Sequence, residues 1–363
     1  MTNRLKKLDN LFEKNSIDAF AIVPGSNFRY LTGGNFHLME RPTVLIIKKN
    51  HKPVAILPSL EIDSFNALSL DAEIISWHDK DGYIDAFKKA SQILGPLKNI
   101  GVEGQRIRFF ESLALQESFK DCKIVNAHSL ISTVRLNKDS DEIKNIEKAI
   151  SISEIALSNT IKYVSHGKSE LEIKNFLIQE LYKNGAEGIA FDPIVLGSKN
   201  SALPHGHSTD YILEKGDALL FDFGASINGY NADITRTFFI DNASDYQRNY
   251  YNTVLKANNA GIDKSRINIT LDEVDDTVLK ILEESEYKDF VVHKTGHGLG
   301  LDVHEDPYVV RGNKNVLTEG MVITIEPGLY NPDSLGVRIE DDVLITETEP
   351  KILTKFSKEL TII

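Results

Sequence analysis

Four carboxylates in this chain sit where a carboxylate is expensive. Asp222 closes the apolar run DALLFDFGA, Asp233 stands in NADITRTFFI, and Glu326 and Glu340 interrupt VITIEPG and GVRIEDDVLI. An unpaired charge inside strand-like apolar runs costs several kcal/mol, so the fold must bring the four acids to a shared counter-charge. For a lone Asp, capping a turn or facing solvent is the ordinary reading, but four repetitions of the same oddity weigh against it. Asp222 and Asp233 are eleven positions apart across a Gly-Tyr-Asn turn. A hairpin can therefore place both at one site.

His297 lies in HKTGHGLGLDVHE, where Gly296, Gly298 and Gly300 permit tight backbone geometry near a ligand. Five of the ten histidines, His205, His207, His293, His297 and His304, fall within one hundred residues, alongside the acids. The clustering favours a site over scattered surface histidines. Four carboxylates and one imidazole supply about four negative charges and a borderline nitrogen. That set suits two hard or borderline divalent ions, Mn²⁺ first and Co²⁺ or Zn²⁺ as alternatives, rather than one structural zinc. Two ions a few Å apart imply hydrolysis by a bridging hydroxide.

At 363 residues the chain fits two domains, by the prior of roughly 150 residues per domain. A net charge of −12 argues against nucleic-acid or anionic-membrane partners, which need a basic field. No run approaches the about 18 consecutive apolar residues of a membrane span. The N-terminal MTNRLKKLDNLFEKN has no apolar stretch after its basic residues, so it reads as an amphipathic first helix rather than a signal peptide. Cys122, the single cysteine, excludes an intrachain disulfide and fits a reducing cytoplasm. It reads as a buried small hydrophobe in the strand DCKIVNA.

Up to about residue 130, the apolar runs AFAIVP, TVLIIKK, KPVAILP, KNIGVEG and KIVNA alternate with helix-like stretches at 59–69 and 83–94. This predicts an α/β unit with a mixed sheet over residues 1–135. The texture changes at ISTVRLNKDS, and residues 136–363 read as a second, α+β unit. A helix starts at the capping-box pair Asp139 and Glu142, a second at Ser169 and Glu172 that stops at Gly185, and further helices cover about 244–263 and 270–284, the last opened by Thr270 and Glu273. Helix, helix, strands thus occurs twice, which hints at two related halves.

The five ligand-bearing segments resemble those of the creatinase/aminopeptidase-P family, the pita-bread metallopeptidases, and the likeness covers nearly the whole chain. It implies a C-terminal pita-bread catalytic domain preceded by a smaller creatinase-type α/β domain, which distinguishes the proline-specific branch from methionine aminopeptidases. Carried over by position, the resemblance makes Asp222 a ligand of one metal, Asp233 and Glu340 the bridging carboxylates, and His297 with Glu326 the ligands of the other. Glu326 is also the implied general base. His205 is similar to the histidine that steadies the tetrahedral intermediate, and His304 to the one that contacts the peptide near the proline; both stay off the metals. His293 and Arg338 resemble residues shaping the proline-side pocket, with Arg338 also counted among the catalytic set, and Tyr330 resembles a pocket or carboxylate-orienting tyrosine. His37, in YLTGGNFHLMERP, lies in a segment that similar prolidases insert into the neighbouring subunit's site, which implies a homodimer.

The implied activity is hydrolysis of Xaa-Pro bonds, whose tertiary amide has no N–H and a rigid φ and so needs a dedicated pocket. The chain length favours an Xaa-Pro dipeptidase over the longer aminopeptidases P. Creatinase-like or ectoine-hydrolase-like C–N hydrolysis is the alternative on the same fold, although all five ligand positions are filled, unlike metal-free creatinase. A lyase is more remote. A non-catalytic pita-bread binding module would be expected to have lost ligands, and none is lost here.

Overall fold

The computed structural model describes residues 3–68 and 70–363, and within it the chain divides into two compact units, Met1–Arg135 and Leu136–Ile363. Met1, Thr2 and Ser69, the ends of two expected helices, lie outside the described residues.

The first unit is built on a six-stranded sheet in the order Glu73–Trp77, Val54–Pro58, Val44–Lys48, Ala19–Ile22, Asn99–Val102, Lys123–Asn126. Ala19–Ile22 pairs antiparallel with Val44–Lys48 and parallel with Asn99–Val102, so the sheet is mixed as the sequence predicts. Its central strands read as continuous apolar runs because both faces are covered. The helix Ile84–Leu94 buries Ala86, Phe87, Ala90 and Leu94 as one face.

Four details depart from expectation. The first helix is two short ones, Asn3–Lys6 and Asp9–Asn15, which still bury Leu5, Leu8 and Phe12. The 59–69 stretch forms only a 3-10 turn, Ser59–Glu61, and a five-residue helix, Ile62–Asn66. The edge strand Glu73–Trp77 and the helices Ser26–Thr32 and Phe109–Ser118 carry too little apolar periodicity to be read from sequence; the strand buries only Ile75 and Trp77 of its five residues. Cys122 is buried, but in the turn before Lys123–Asn126 rather than within that strand, and burial pushes its thiol pKa up.

The second unit repeats one plan twice. Helices Ser140–Tyr163 and Glu170–Lys183 precede a sheet in the order Ile234–Phe239, Ala218–Phe223, Ile194–Gly197; helices Asp245–Lys264 and Leu271–Glu283 precede a sheet in the order Glu305–Val309, Gly296–Gly298, Val322–Ile325, Asp341–Leu344, Lys351–Ile352. All four helices open on a capping box, at Asp139, Ser169, Ser244 and Thr270. Gly185, at φ +98°, ends the second helix. In each half an antiparallel strand pair gives way at one end to a short two-stranded finger. Ala218–Phe223 and Ile234–Phe239 lead into Ala225–Ile227 and Tyr230–Asn231, while Val322–Ile325 and Asp341–Leu344 lead into Gly328–Tyr330 and Gly336–Arg338. The apolar faces of the first helix pair cover Phe221, Phe223 and Phe238; those of the second cover Ile323, Ile325 and Val337.

Ser169→Ala removes the hydroxyl that accepts the Glu172 N–H at 3.1 Å. The expected cost is about 1 kcal/mol, read as a lower urea midpoint for the second unit with its m-value unchanged.

Candidate metal centre

The four acids fall at the two places where strand pairs hand over to fingers. Asp222 sits near the end of its strand, opposite Thr235, and Asp233 immediately precedes the partner strand. Glu326 immediately follows Val322–Ile325, and Glu340 immediately precedes Asp341–Leu344. The two halves meet here: the Glu340 N–H donates to the Thr235 carbonyl at 3.1 Å, and the Asp233 N–H to an Asp342 carboxylate oxygen at 3.2 Å. His297 stands in the short strand Gly296–Gly298, and a Cβ on Gly296 would lie 2.0 Å from the Thr324 carbonyl oxygen. Only glycine lets this strand approach Val322–Ile325 closely enough to aim the imidazole at the acids.

One ligand atom from each of Asp222, Asp233 and Glu340 lies within 4.8 Å of the others, and the same holds for His297, Glu326 and Glu340. Glu340 belongs to both groups. His297 Nε2 is 3.2 Å from Glu326 Oε1 and 3.7 Å from Asp233 Oδ2. His304, expected to stand off the metals, also brings a ring nitrogen within 4.8 Å of Asp233 and His297 ligand atoms. Its ring centroid is 4.0 Å from that of His297.

Around this cluster the structure opens a cavity of about 460 Å³ lined by His205, His293, Lys294, His304, Arg338 and the five candidate ligands, with Phe191, Ile194, Pro204 and Val303 as its apolar wall. Arg338 pairs with Asp222, donates from Nη1 to the Tyr330 hydroxyl at 2.7 Å and from Nε to Thr235 Oγ1 at 3.0 Å. Tyr330 in turn lies 2.7 Å from His293 Nε2. Arg338, Tyr330 and His293 therefore form one connected wall. His205 is exposed at the cavity, and His37 belongs to the first unit, where it is exposed in the segment after Ser26–Thr32.

Thr235 and Lys294 were not singled out from sequence. Thr235 links the acids to Arg338, accepting from its Nε and donating to Glu340 Oε2 at 2.6 Å; it shares a strand face with Asp233 at a spacing of two, a signal that was present. Lys294, beside His293, places its ammonium 3.9 Å from the Tyr308 ring centroid. Nothing in a lone lysine marks such a placement.

The electrostatics are those of crowded, buried carboxylates. Burial, then Glu340 and Asp222, raise the Asp233 pKa well above the ordinary carboxylate range; burial, then Glu326 and Asp222, do the same to Glu340. Burial also raises Asp222, against the pull of Arg338, and one Asp222 oxygen, Oδ1, is buried with no hydrogen-bond partner. A crowded, oxygen-rich, partly unsatisfied donor set of this kind fits divalent cations. Glu326 is the exception. Burial opposes its charge, but the hydrogen bond and charge of His297 outweigh it and hold the carboxyl down at about 2. Burial lowers the His293 pKa, and although His304 keeps exposed surface, the surrounding protein and the neighbouring His297 bring it down to about 4.

A pair of α+β halves of like plan, with an acid-rich, histidine-bearing cavity at their junction, defines a metallohydrolase architecture. Residues 144–347 match metallopeptidase family M24 and residues 4–137 match the creatinase/prolidase N-terminal domain; the chain belongs to the M24 family and is a metallopeptidase. A curated Xaa-Pro dipeptidase from Pyrococcus furiosus is 36% identical over 99% of this chain and 100% of its own. The crystal structure of a prolidase from Thermococcus sibiricus superposes with a TM-score of 0.93 at 33% identity, covering 99% of this chain and 98% of that one. An X-Pro aminopeptidase from Thermotoga maritima gives 0.85 at 32%, covering 99% of each. Among the described residues, no helix is long and apolar enough to cross a membrane.

Asp233 and Glu340 retain protons in the folded, metal-free state above the pH at which the unfolded chain has lost them. Their contribution to stability is therefore lost as pH rises through their raised folded values. Metal loading must expel those protons. Calorimetric titration with Mn²⁺ at a pH just above the ordinary carboxylate range, in buffers of different ionisation enthalpy, is expected to show net proton release; a buffer-independent heat there would contradict the raised values.

Proposed function

We propose that this chain is a two-metal Xaa-Pro dipeptidase. The observation that carries the reading is the convergence of Asp222, Asp233, His297, Glu326 and Glu340 on one cavity that also has an apolar wall and the Arg338–Tyr330–His293 chain. Membership of M24 and full-length similarity to a protein named Xaa-Pro dipeptidase support it. Asp222 would hold one ion, His297 and Glu326 the other, with Asp233 and Glu340 between them; the membership of Glu340 in both ligand groups supports its bridging role. Manganese is our first choice of ion. Two divalent ions bound there supply a Lewis acid for the scissile carbonyl and bring the pKa of water toward neutrality.

The chain's own groups then divide the remaining work. Glu326, ionised at neutral pH, accepts the proton of the attacking water and returns it to the departing proline nitrogen. His304, neutral at pH 7 because its pKa lies near 4, contributes a ring N–H near that nitrogen rather than a cation. His205, exposed at the cavity, donates to the oxyanion as the carbonyl becomes tetrahedral. Phe191, Ile194 and Val303 offer the proline ring an apolar seat, and Arg338, His293 and Tyr330 orient the polar end of the substrate. Arg338 also steadies Asp222 through its ion pair.

We assign the first unit to dimerisation and to access to the cleft, with His37 reaching a partner's site. The exposed apolar neighbours Leu38 and Met39 support a contact there. The lone cysteine supports a cytoplasmic setting.

The deciding experiment is amino-acid release from Xaa-Pro dipeptides and Xaa-Pro-Xaa tripeptides after metal stripping and reloading with Mn²⁺, Co²⁺ or Zn²⁺. Cleavage of dipeptides alone is expected; tripeptide cleavage would move the activity to aminopeptidase P, and cleavage of neither with two metals bound would point to a non-peptide C–N substrate. Asp233→Ala and Glu340→Ala are each expected to abolish hydrolysis and lower the bound-metal count. His304→Ala should keep both metals while kcat falls at least about a hundredfold, and metal loss in that variant would make His304 a ligand. His37→Ala is expected to raise KM for dipeptides; unchanged kinetics would remove His37 from the site.

A further inference from the structure

Outside the metal cluster, the second unit buries the Arg236–Asp341 ion pair and, beside His304, a second one. Lys138 Nζ lies 2.6 Å from Glu305 Oε1, and the two side chains are 1% and 4% exposed. Taking both charges out of water costs several kcal/mol per ion, and an apolar pair of similar size commonly gives equal or better stability. What an apolar pair cannot do is hold a carboxylate in a fixed direction.

Here that direction matters, because Glu305 is the residue after His304. Its carboxylate packs against Gly300, where a Cβ would lie 2.8 Å from Oε1, and its Oε2 accepts a long hydrogen bond of 3.4 Å from the Asp302 N–H. The carboxylate thus fills the inside of the turn that runs from Gly300 to Glu305. At its start the turn is pinned by Asn231, whose backbone N–H and Nδ2 both donate to the Gly300 carbonyl, at 3.0 and 3.1 Å. At its end Glu305 pairs in register with Gly298, the neighbour of His297. Lys138 is itself fixed, since its backbone N–H donates to the Gly320 carbonyl at 2.7 Å and its ammonium to the Leu136 carbonyl at 3.3 Å.

We propose that the buried Lys138–Glu305 pair is a positioning device that sets the turn carrying His304 and so holds that imidazole against the reacting bond. The pair touches no substrate; it acts through His304, and the inference rests on the role given to His304 above.

A double-mutant cycle on the full-length, metal-loaded protein tests it, with wild type, Lys138→Met, His304→Ala and the double variant assayed on one Xaa-Pro dipeptide. Lys138→Met is expected to lower kcat about tenfold while KM moves less than about twofold, and to have under a twofold effect once His304 is alanine. Equal losses in both backgrounds would reduce the pair to a structural element and overturn the proposal. No effect of His304→Ala on its own would instead fail the reading of His304, a distinguishable result that also removes the basis for the pair's role. If Lys138→Met does not fold, Lys138→Met/Glu305→Leu takes its place with the same expectations, since it leaves no unpaired charge. A readout independent of turnover is the His304 imidazole resonance in zinc-loaded protein, assigned by its loss in His304→Ala. It is expected to shift when Lys138 is replaced, and an unmoved resonance overturns the proposal.

Discussion

Mutual repulsion among buried carboxylates governs the second unit. Asp222, Asp233 and Glu340 are packed within a few Å of one another with almost no access to water, an arrangement that is tolerable only with protons or cations between them. The raised pKa values of Asp233 and Glu340 are that repulsion expressed as proton affinity. A surrounding scaffold must keep the acids from moving apart. Arg236 illustrates how: its guanidinium bonds the Thr235 and Glu340 carbonyls and the Asp341 carboxylate, and its Nη2 and Nε reach the carbonyl of Phe356. One fully buried arginine thus ties both ligand-bearing strands to the C-terminal segment.

The repeated plan explains how such a cluster can be built at all. Each half carries its two acids at the finger end of an antiparallel strand pair: Asp222 opposite Thr235 with Asp233 just before the partner strand, and Glu326 and Glu340 just outside Val322–Ile325 and Asp341–Leu344. Each half thus delivers two carboxylates as a unit. Joining the halves through the Thr235–Glu340 and Asp233–Asp342 contacts then brings the four together without any long loop having to be ordered. Helix caps and apolar helix faces hold each half in shape, and the imidazole of His297 enters between glycines where a neighbouring strand comes too close for any side chain.

The cavity lining combines the acid cluster, the apolar Phe191, Ile194, Pro204 and Val303, and Arg338 and His293, which are joined through Tyr330. The surrounding protein lowers the pKa of two of its histidines, His293 and His304, which favours their neutral, hydrogen-bonding form.

The four acids in apolar runs, three of the four capping boxes, the mixed sheet and the twofold order of elements were legible in the sequence because each is a local pattern: an acid in an apolar run, a Ser, Thr or Asp three residues before a carboxylate, alternation of strand and helix. The break in the first helix, the shortness of the one at 62–66 and the edge strand Glu73–Trp77 were not, since segments of five or so residues owe their structure to what they pack on and not to their own periodicity. The same division holds inside the site. Which residues carry charge was determined by residue type, but that Arg338 pairs with Asp222 rather than with Glu340 or Asp342, that Thr235 bridges Arg338 to Glu340, and that Lys138 reaches Glu305 across 167 residues was decided only by the tertiary fold. Long side chains have many partners within reach along a sequence, and only packing chooses among them.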